Sequence, residues 1–131
     1  RRASYFHRLH NISRGDYLLL RTAARLSSPS DTFLVLWPYN VIFPGVTGRK
    51  TYTGHPLLTI NAKQKDEIVN RFFSNQLTQA ETYKLLQDNH ITFVLAYSWA
   101  ELPSGLYDMI ATEGSLALYR VNQSYLKSYS K

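Results

Sequence analysis

Two apolar runs limit what this chain can fold into more than any other feature. Thr32-Phe33-Leu34-Val35-Leu36-Trp37 is closed off by Asp31 and Pro38, and Ile91-Thr92-Phe93-Val94-Leu95-Ala96-Tyr97 sits far downstream. Both have strand length and neither alternates apolar with polar residues. Such runs fit strands buried on both faces, as in a sheet covered by helices. Neither approaches the roughly 18 apolar residues that a membrane-spanning helix needs.

The segments around these runs carry helical signals. From Asp16, which can accept the free N–H groups of a first turn, Leu19, Ala23 and Leu26 fall on one stripe, and Ser27-Ser28-Pro29-Ser30-Asp31 ends it. Asn61 with Gln64 reads as a capping box before Ile68, Val69, Phe72 and Phe73. Thr78 with Glu81 makes a second box, ahead of Tyr83, Leu85 and Leu86. Tyr39 to Arg49 is punctuated by Gly and Pro and reads as a loop, followed by a short strand at Lys50-Thr51-Tyr52-Thr53. Ser98 to Gly114 is ambiguous: Tyr107, Met109 and Ile110 fit a short helix. Leu116 to Val121 reads as a last strand. The expected fold class is α/β, a three-layer domain with a small, mostly parallel sheet flanked by helices.

Length and composition fit this reading. The chain has 131 residues, enough for one domain, and is 44% hydrophobic, with ten Tyr, six Phe and two Trp to fill a core. Residues 1–14 read as a basic linker or juxtamembrane flank and residues 15–131 as a single α/β domain. The absence of cysteine excludes a disulfide framework, a thiolate metal site and a cysteine nucleophile. The start, Arg1-Arg2-Ala3-Ser4-Tyr5, leads into no apolar signal region and is not Met. The chain is therefore expected to continue a longer protein, in which any membrane segment or targeting signal would lie upstream of residue 1.

The net charge of +6 raises the question of nucleic acid. Arg1, Arg2, Arg8 and Arg14 crowd one terminus and Lys127 and Lys131 the other, while Lys63, Lys65 and Arg71 mix with Asp66 and Glu67. That distribution does not point to a specific nucleic-acid partner. Basic termini suit anionic lipid headgroups equally well.

No dinucleotide fingerprint, P-loop, nucleophile elbow or zinc-protease motif is present. His7 and His10 are suitably spaced for a metal on a helix, yet no third ligand lies nearby, so no metal site is expected. His90, between a helix and a strand, reads as structural. Asp66 and Glu67 diverge on a helix face, and Glu101, Asp108 and Glu113 cannot be placed together, so no catalytic carboxylate pair emerges. The sequons Asn11-Ile12-Ser13 and Asn122-Gln123-Ser124 decide nothing in so Ser- and Thr-rich a chain.

The most informative stretch runs from Phe43 through Gly45, Gly48, Arg49, Tyr52, Gly54 and His55 to Pro56. It follows the first buried strand, where open α/β sheets often bind ligands. Two readings compete. The glycines can expose N–H groups to an anion, with Arg49 as a planar fork and His55 as a switchable donor. Or the glycines serve turns and Tyr52 packs.

Pro44-Gly45-Val46-Thr47-Gly48-Arg49-Lys50-Thr51-Tyr52-Thr53-Gly54-His55, with Arg71-Phe72-Phe73-Ser74 and Leu118-Tyr119-Arg120-Val121, resembles a pattern of polytopic bacterial membrane glycosyltransferases of the GT-C type, related to lipid-linked mannosyltransferases. The resemblance spans roughly Asp16 to Val121. It implies an accessory, extracytoplasmic soluble domain of an integral-membrane protein, partnered by the transmembrane portion of the same chain and by a polyprenyl-phosphate sugar. In that family the catalytic acid sits in a loop between membrane helices, so no catalytic residue carries over and no cofactor is implied here. Gly48, Arg49, Tyr52, Gly54 and His55 would at most position a lipid phosphate or acceptor. The alternative is an extracytoplasmic sensor or protein-interaction module without enzymatic activity.

Overall fold

A computed structural model describes residues 13–36, 39–52, 62–100 and 102–129. Its elements run α1 (Arg14–Leu26), β1 (Thr32–Val35), α2 (Tyr39–Thr47), β2 (Lys50–Thr51), α3 (Ala62–Phe73), α4 (Gln79–Asp88), β3 (Ile91–Tyr97), β4 (Tyr107–Glu113), β5 (Leu116–Val121) and α5 (Gln123–Tyr129).

The five strands form one sheet in the order β2-β1-β3-β5-β4. β1 pairs parallel with both β2 and β3, while β5 pairs antiparallel with both β3 and β4. The expected mostly parallel sheet is thus corrected to a mixed one in which the antiparallel ladders are the longer. The cause is the segment before Gly114, which is a strand and not a short helix. Tyr107–Glu113 forms the sheet edge, with exposed Asp108, Met109, Thr112 and Glu113, so it never builds an apolar run. It joins β5 through Gly114-Ser115, with Gly114 at φ +61° and Ser115 outside the positive-φ region, the type II′ arrangement that suits strand twist.

Side chains of the central strands alternate between two cores, which gives three layers. Phe33, Val35, Phe93, Leu95, Leu116 and Leu118 pack under α1 and α2 with Leu19, Leu20, Ala23 and Phe43. Leu34, Val94, Ala96, Ala117, Tyr119 and Val121 face Val69, Phe72, Tyr83, Leu86 and Leu126 from α3, α4 and α5. This is the period-2 geometry of strands buried on both sides. The run starting at Ile91 is a strand over its full expected length. The Leu36 N–H continues the first run by bonding the Leu95 carbonyl at 3.3 Å, and Trp37 lies outside the described residues.

The helix ends follow local rules, in part not the expected ones. Ser13, and not Asp16, caps α1, its Oγ accepting the Asp16 N–H at 3.0 Å. Arg14, expected in the linker, is the first helical residue. Leu26 is exposed, and Leu20 takes the core position instead. The Thr78–Glu81 capping box is complete in both directions. Asn61, expected to cap α3, lies outside the described residues. The α3 C-terminus closes in a Schellman motif, with Asn75 at φ 60°, its N–H on the Phe72 carbonyl and the Gln76 N–H on the Arg71 carbonyl. His90 occupies the corresponding left-handed position after α4. Among the described residues no helix is long and apolar enough to cross a membrane.

Candidate functional site

The stretch read as a loop from Tyr39 to Arg49 is largely helix α2, despite Pro44 in its interior. Pro44 removes one ladder bond, and the Thr47 hydroxyl adds a local one to the Phe43 carbonyl at 2.7 Å. Gly48 ends the helix at φ +71°, its N–H donating to the Pro44 carbonyl at 2.8 Å, which is the αL C-cap. Its left-handed backbone terminates a helix, and that N–H already has an acceptor.

Arg49 reaches back to the C-terminus of α1. Its Nη2 donates to the carbonyls of Ala24 (2.8 Å) and Ser27 (3.2 Å), its Nε to the Ser27 hydroxyl (3.1 Å) and its Nη1 to the Thr47 carbonyl (3.4 Å). A guanidinium there satisfies carbonyls that the helix leaves without partners and complements the negative end of its dipole. Tyr52 is buried, with Lys65 Nζ 5.1 Å from its ring centroid, and burial raises the pKa of its phenol. Gly54 and His55 lie outside the described residues, as do His7 and His10. The structure does not gather these side chains into one site: Arg49 turns to the end of α1, where backbone engages its fork, while Tyr52 packs into the core layer beneath α3 and α4.

Sequence reasoning missed the most deeply buried carboxylate among the described residues. Asp16 is only 3% exposed. Its Oδ1 accepts the Ser115 N–H at 2.9 Å, the Ser115 hydroxyl lies 3.0 Å from both oxygens, and the Tyr39 hydroxyl donates to Oδ2 at 2.8 Å. Gly15 and Gly114 permit this approach. A Cβ on Gly15 would stand 2.9 Å from the Gly114 Cα, and one on Gly114 would stand 2.6 Å from Asp16 Oδ1. Burial, then the hydrogen bond and negative charge of Asp16, push the Tyr39 pKa up to about 12. Through Ser115 and Tyr39 the cluster ties α1 to the β4–β5 turn and to α2.

A pocket of about 300 Å³ lies on the opposite side of the sheet, and a second of about 290 Å³ is lined by Asn40, Asp66, Val69 and Asn70. Phe72, Asn75 and Leu77 supply the wall of the first from the end of α3, Gln79, Thr82 and Tyr83 from α4, Leu102 to Tyr107 from the segment entering β4, and Tyr125 from α5. Gly105, at φ +98°, lets that segment close on Tyr125: a Cβ there would meet the tyrosine ring at 3.2 Å. The Tyr83 and Tyr125 rings lie 6.4 Å apart and inclined at 62°, and Phe72 meets Tyr107 edge to face at 6.4 Å. Gln79 donates to the Tyr83 hydroxyl at 3.2 Å. A hydrogen bond to Tyr83 raises the Tyr125 pKa, and burial raises that of Tyr107. The lining holds aromatic rings, two amides and hydroxyls, and no charged side chain. Such a surface can stack on a neutral ring and hydrogen-bond its hydroxyls, but it offers no acid or base near neutral pH. Only tyrosine count hinted at it in sequence, because its residues come from four separate segments.

Beyond the C-terminal ends of the parallel strands β1 and β3, Trp99 is 69% exposed and stacks flat on Tyr97, with centroids 4.5 Å apart and planes at 7°. Tyr39 meets Tyr97 edge-on at 6.4 Å. Among the described residues no group of acidic or histidine side chains is arranged to hold a metal ion. Comparison with protein-family models, with curated proteins and with solved structures gave no match.

Proposed function

We propose that this domain is a non-catalytic accessory module of an integral-membrane, glycosyltransferase-like protein, on its extracytoplasmic face, and that the pocket between α3, α4 and α5 receives a sugar ring of the lipid-linked donor or of the acceptor. The observation that carries the reading is the lining itself: tyrosine and phenylalanine faces beside Asn75 and Gln79, without a charge. That chemistry matches a neutral polyhydroxylated ring, and its volume of about 300 Å³ suits one or two sugar units. The resemblance of Pro44–His55 to GT-C transferases supports the wider setting. Positioning of a lipid phosphate by Gly48, Arg49, Tyr52, Gly54 and His55 belongs to the same proposal, with the condition that Arg49 release carbonyls it now holds.

The test is an NMR titration of the chain with a panel of methyl glycosides, methyl mannoside among them, and separately with a short-chain polyprenyl phosphate. Saturable shifts at the amides of Asn75, Gln79 and Leu106, lost in Tyr125→Ala, are expected with at least one glycoside. Silence at millimolar concentrations of every glycoside would defeat the sugar reading. Shifts confined to Gly48 and Arg49 with the phosphate would relocate the site to that segment.

A second reading, a sensor or protein-interaction module, is favoured by one observation, the exposed Trp99 on Tyr97. It requires a protein partner whose crosslinking in membranes is abolished by Trp99→Ala.

A further inference from the structure

The two helical layers differ in charge. α3 and α4 mix Lys63, Lys65, Arg71 and Lys84 with Asp66, Glu67, Glu81 and Asp88, and Arg71 pairs with Glu81 at 3.6 Å. The α1–α2 layer is different. α2 carries no ionisable acid or base other than Tyr39, and the sole carboxylate of α1, Asp16, is buried beneath the helix. The outer face of α1 presents Arg14, Tyr17, Leu18, Arg21 and Arg25, all exposed. At 3.6 residues per turn these fall within an arc of roughly 100°, opposite Leu19, Leu20 and Ala23. None of the three arginines has an acidic partner among the described residues. Arg21 donates to the Tyr17 hydroxyl at 3.1 Å and Arg25 to the Thr22 hydroxyl at 3.5 Å, so both stay on this face with their charge uncompensated. Between them Tyr17 and Leu18 are 40% and 41% exposed, and Val41 extends the apolar surface onto α2.

From this face we infer that the α1–α2 layer docks on an anionic lipid bilayer, arginines among the headgroup phosphates and Tyr17 and Leu18 at the headgroup boundary. Charge complementarity selects the occupant. Three arginines on a helix whose own carboxylate is buried, with Glu113 of β4 an acid beside Gly15 at one end, are drawn to a surface of negative phosphates, and tyrosine is a residue of membrane interfaces. The apolar side of α1 is already committed to the core, so association is electrostatic and shallow rather than insertion. A nucleic-acid strand fits less well. A convex helix face offers one ring, held by Arg21, and no groove of successive aromatics along which bases stack. The inference is independent of the sugar pocket, which lies across the sheet.

The experiment is co-sedimentation of the chain with phosphatidylcholine vesicles, with and without phosphatidylglycerol, across a salt series. Binding is expected only with phosphatidylglycerol and is expected to weaken with salt. Arg21→Gln and Arg25→Gln should each reduce the partition constant about fivefold, with folding verified by circular dichroism. The double variant Lys63→Gln/Lys84→Gln removes as much charge from the opposite layer as the double variant Arg21→Gln/Arg25→Gln removes from α1, and should leave binding within twofold. Equal losses in both pairs would overturn the inference, since net charge alone would then explain binding. Failure to bind anionic vesicles, or tighter binding to a short oligonucleotide than to them at equal salt, would overturn it too.

Discussion

Asp16 is a buried carboxylate whose hydrogen bonds tie α1 to the β4–β5 turn. Its oxygens gather Ser115 and Tyr39 from positions far away in sequence, and the two glycines allow the backbones to meet. Removing the acceptor strands donors in a place water reaches poorly, which costs more than the bonds are worth in an exposed setting. Asp16→Ala is therefore expected to lower unfolding stability by about 3 kcal/mol, and Ser115→Ala by about 1 kcal/mol. Urea midpoints with unchanged slopes measure both. A loss for Asp16→Ala no greater than for Ser115→Ala would show that the cluster does not depend on the carboxylate. In sequence, Asp16 resembled a helix cap because acids favour first turns. Nothing local shows that its partner is a hairpin turn near the other end of the chain.

At the scale of elements, the competing readings of Arg49 separate. A fork held on the carbonyls of α1 predicts that Arg49→Ala destabilises the chain by roughly 1–2 kcal/mol, and that Arg49→Lys restores only part of this because an ammonium lacks the planar fork. Thermal unfolding checks both, and an unchanged Tm in Arg49→Ala would leave the side chain free for a ligand. Elements were legible where a local rule wrote them. The Thr78–Glu81 box, the Ile91–Tyr97 strand and the Leu116–Val121 strand follow from spacing and apolar pattern alone. α2 was not legible, because Pro44, Gly45 and β-branched residues argue against helix. Burial of Phe43 against Phe33, with ring centroids 4.7 Å apart, and the Gly48 cap favour it instead. β4 was hidden for the opposite reason: an edge strand buries too little to show a run. Losing that strand is what turned a mixed sheet into an expected parallel one. The pocket was least legible, since no single segment carries enough of it to make a motif.

For the molecule as a whole, the abundance of tyrosine sets the alkaline limit of stability. Tyr39 is raised to about 12 by burial and by Asp16, and burial raises Tyr52, Tyr107 and Tyr119. In the unfolded chain these phenols titrate near 10. A folded-state pKa above the unfolded one means that the folded protein holds more protons once the pH exceeds about 10. Stability from these groups is then complete below that pH and declines as pH rises through the folded values. A titration of Tm is expected to be level with respect to tyrosine below pH 10 and to fall between roughly pH 10 and 12. Two variants separate the contributions. Tyr39→Phe should lower Tm at every pH, through loss of the Asp16 bond, and should also shallow the alkaline decline. Tyr107→Phe should shallow the decline too, without removing a bond to Asp16. An alkaline profile identical in wild type and both variants would mean that the phenols ionise in the folded state at their ordinary pKa. Tyr107 would then be reachable by water in a way incompatible with a packed α3–α4–α5 layer, and the pocket would lose that part of its wall.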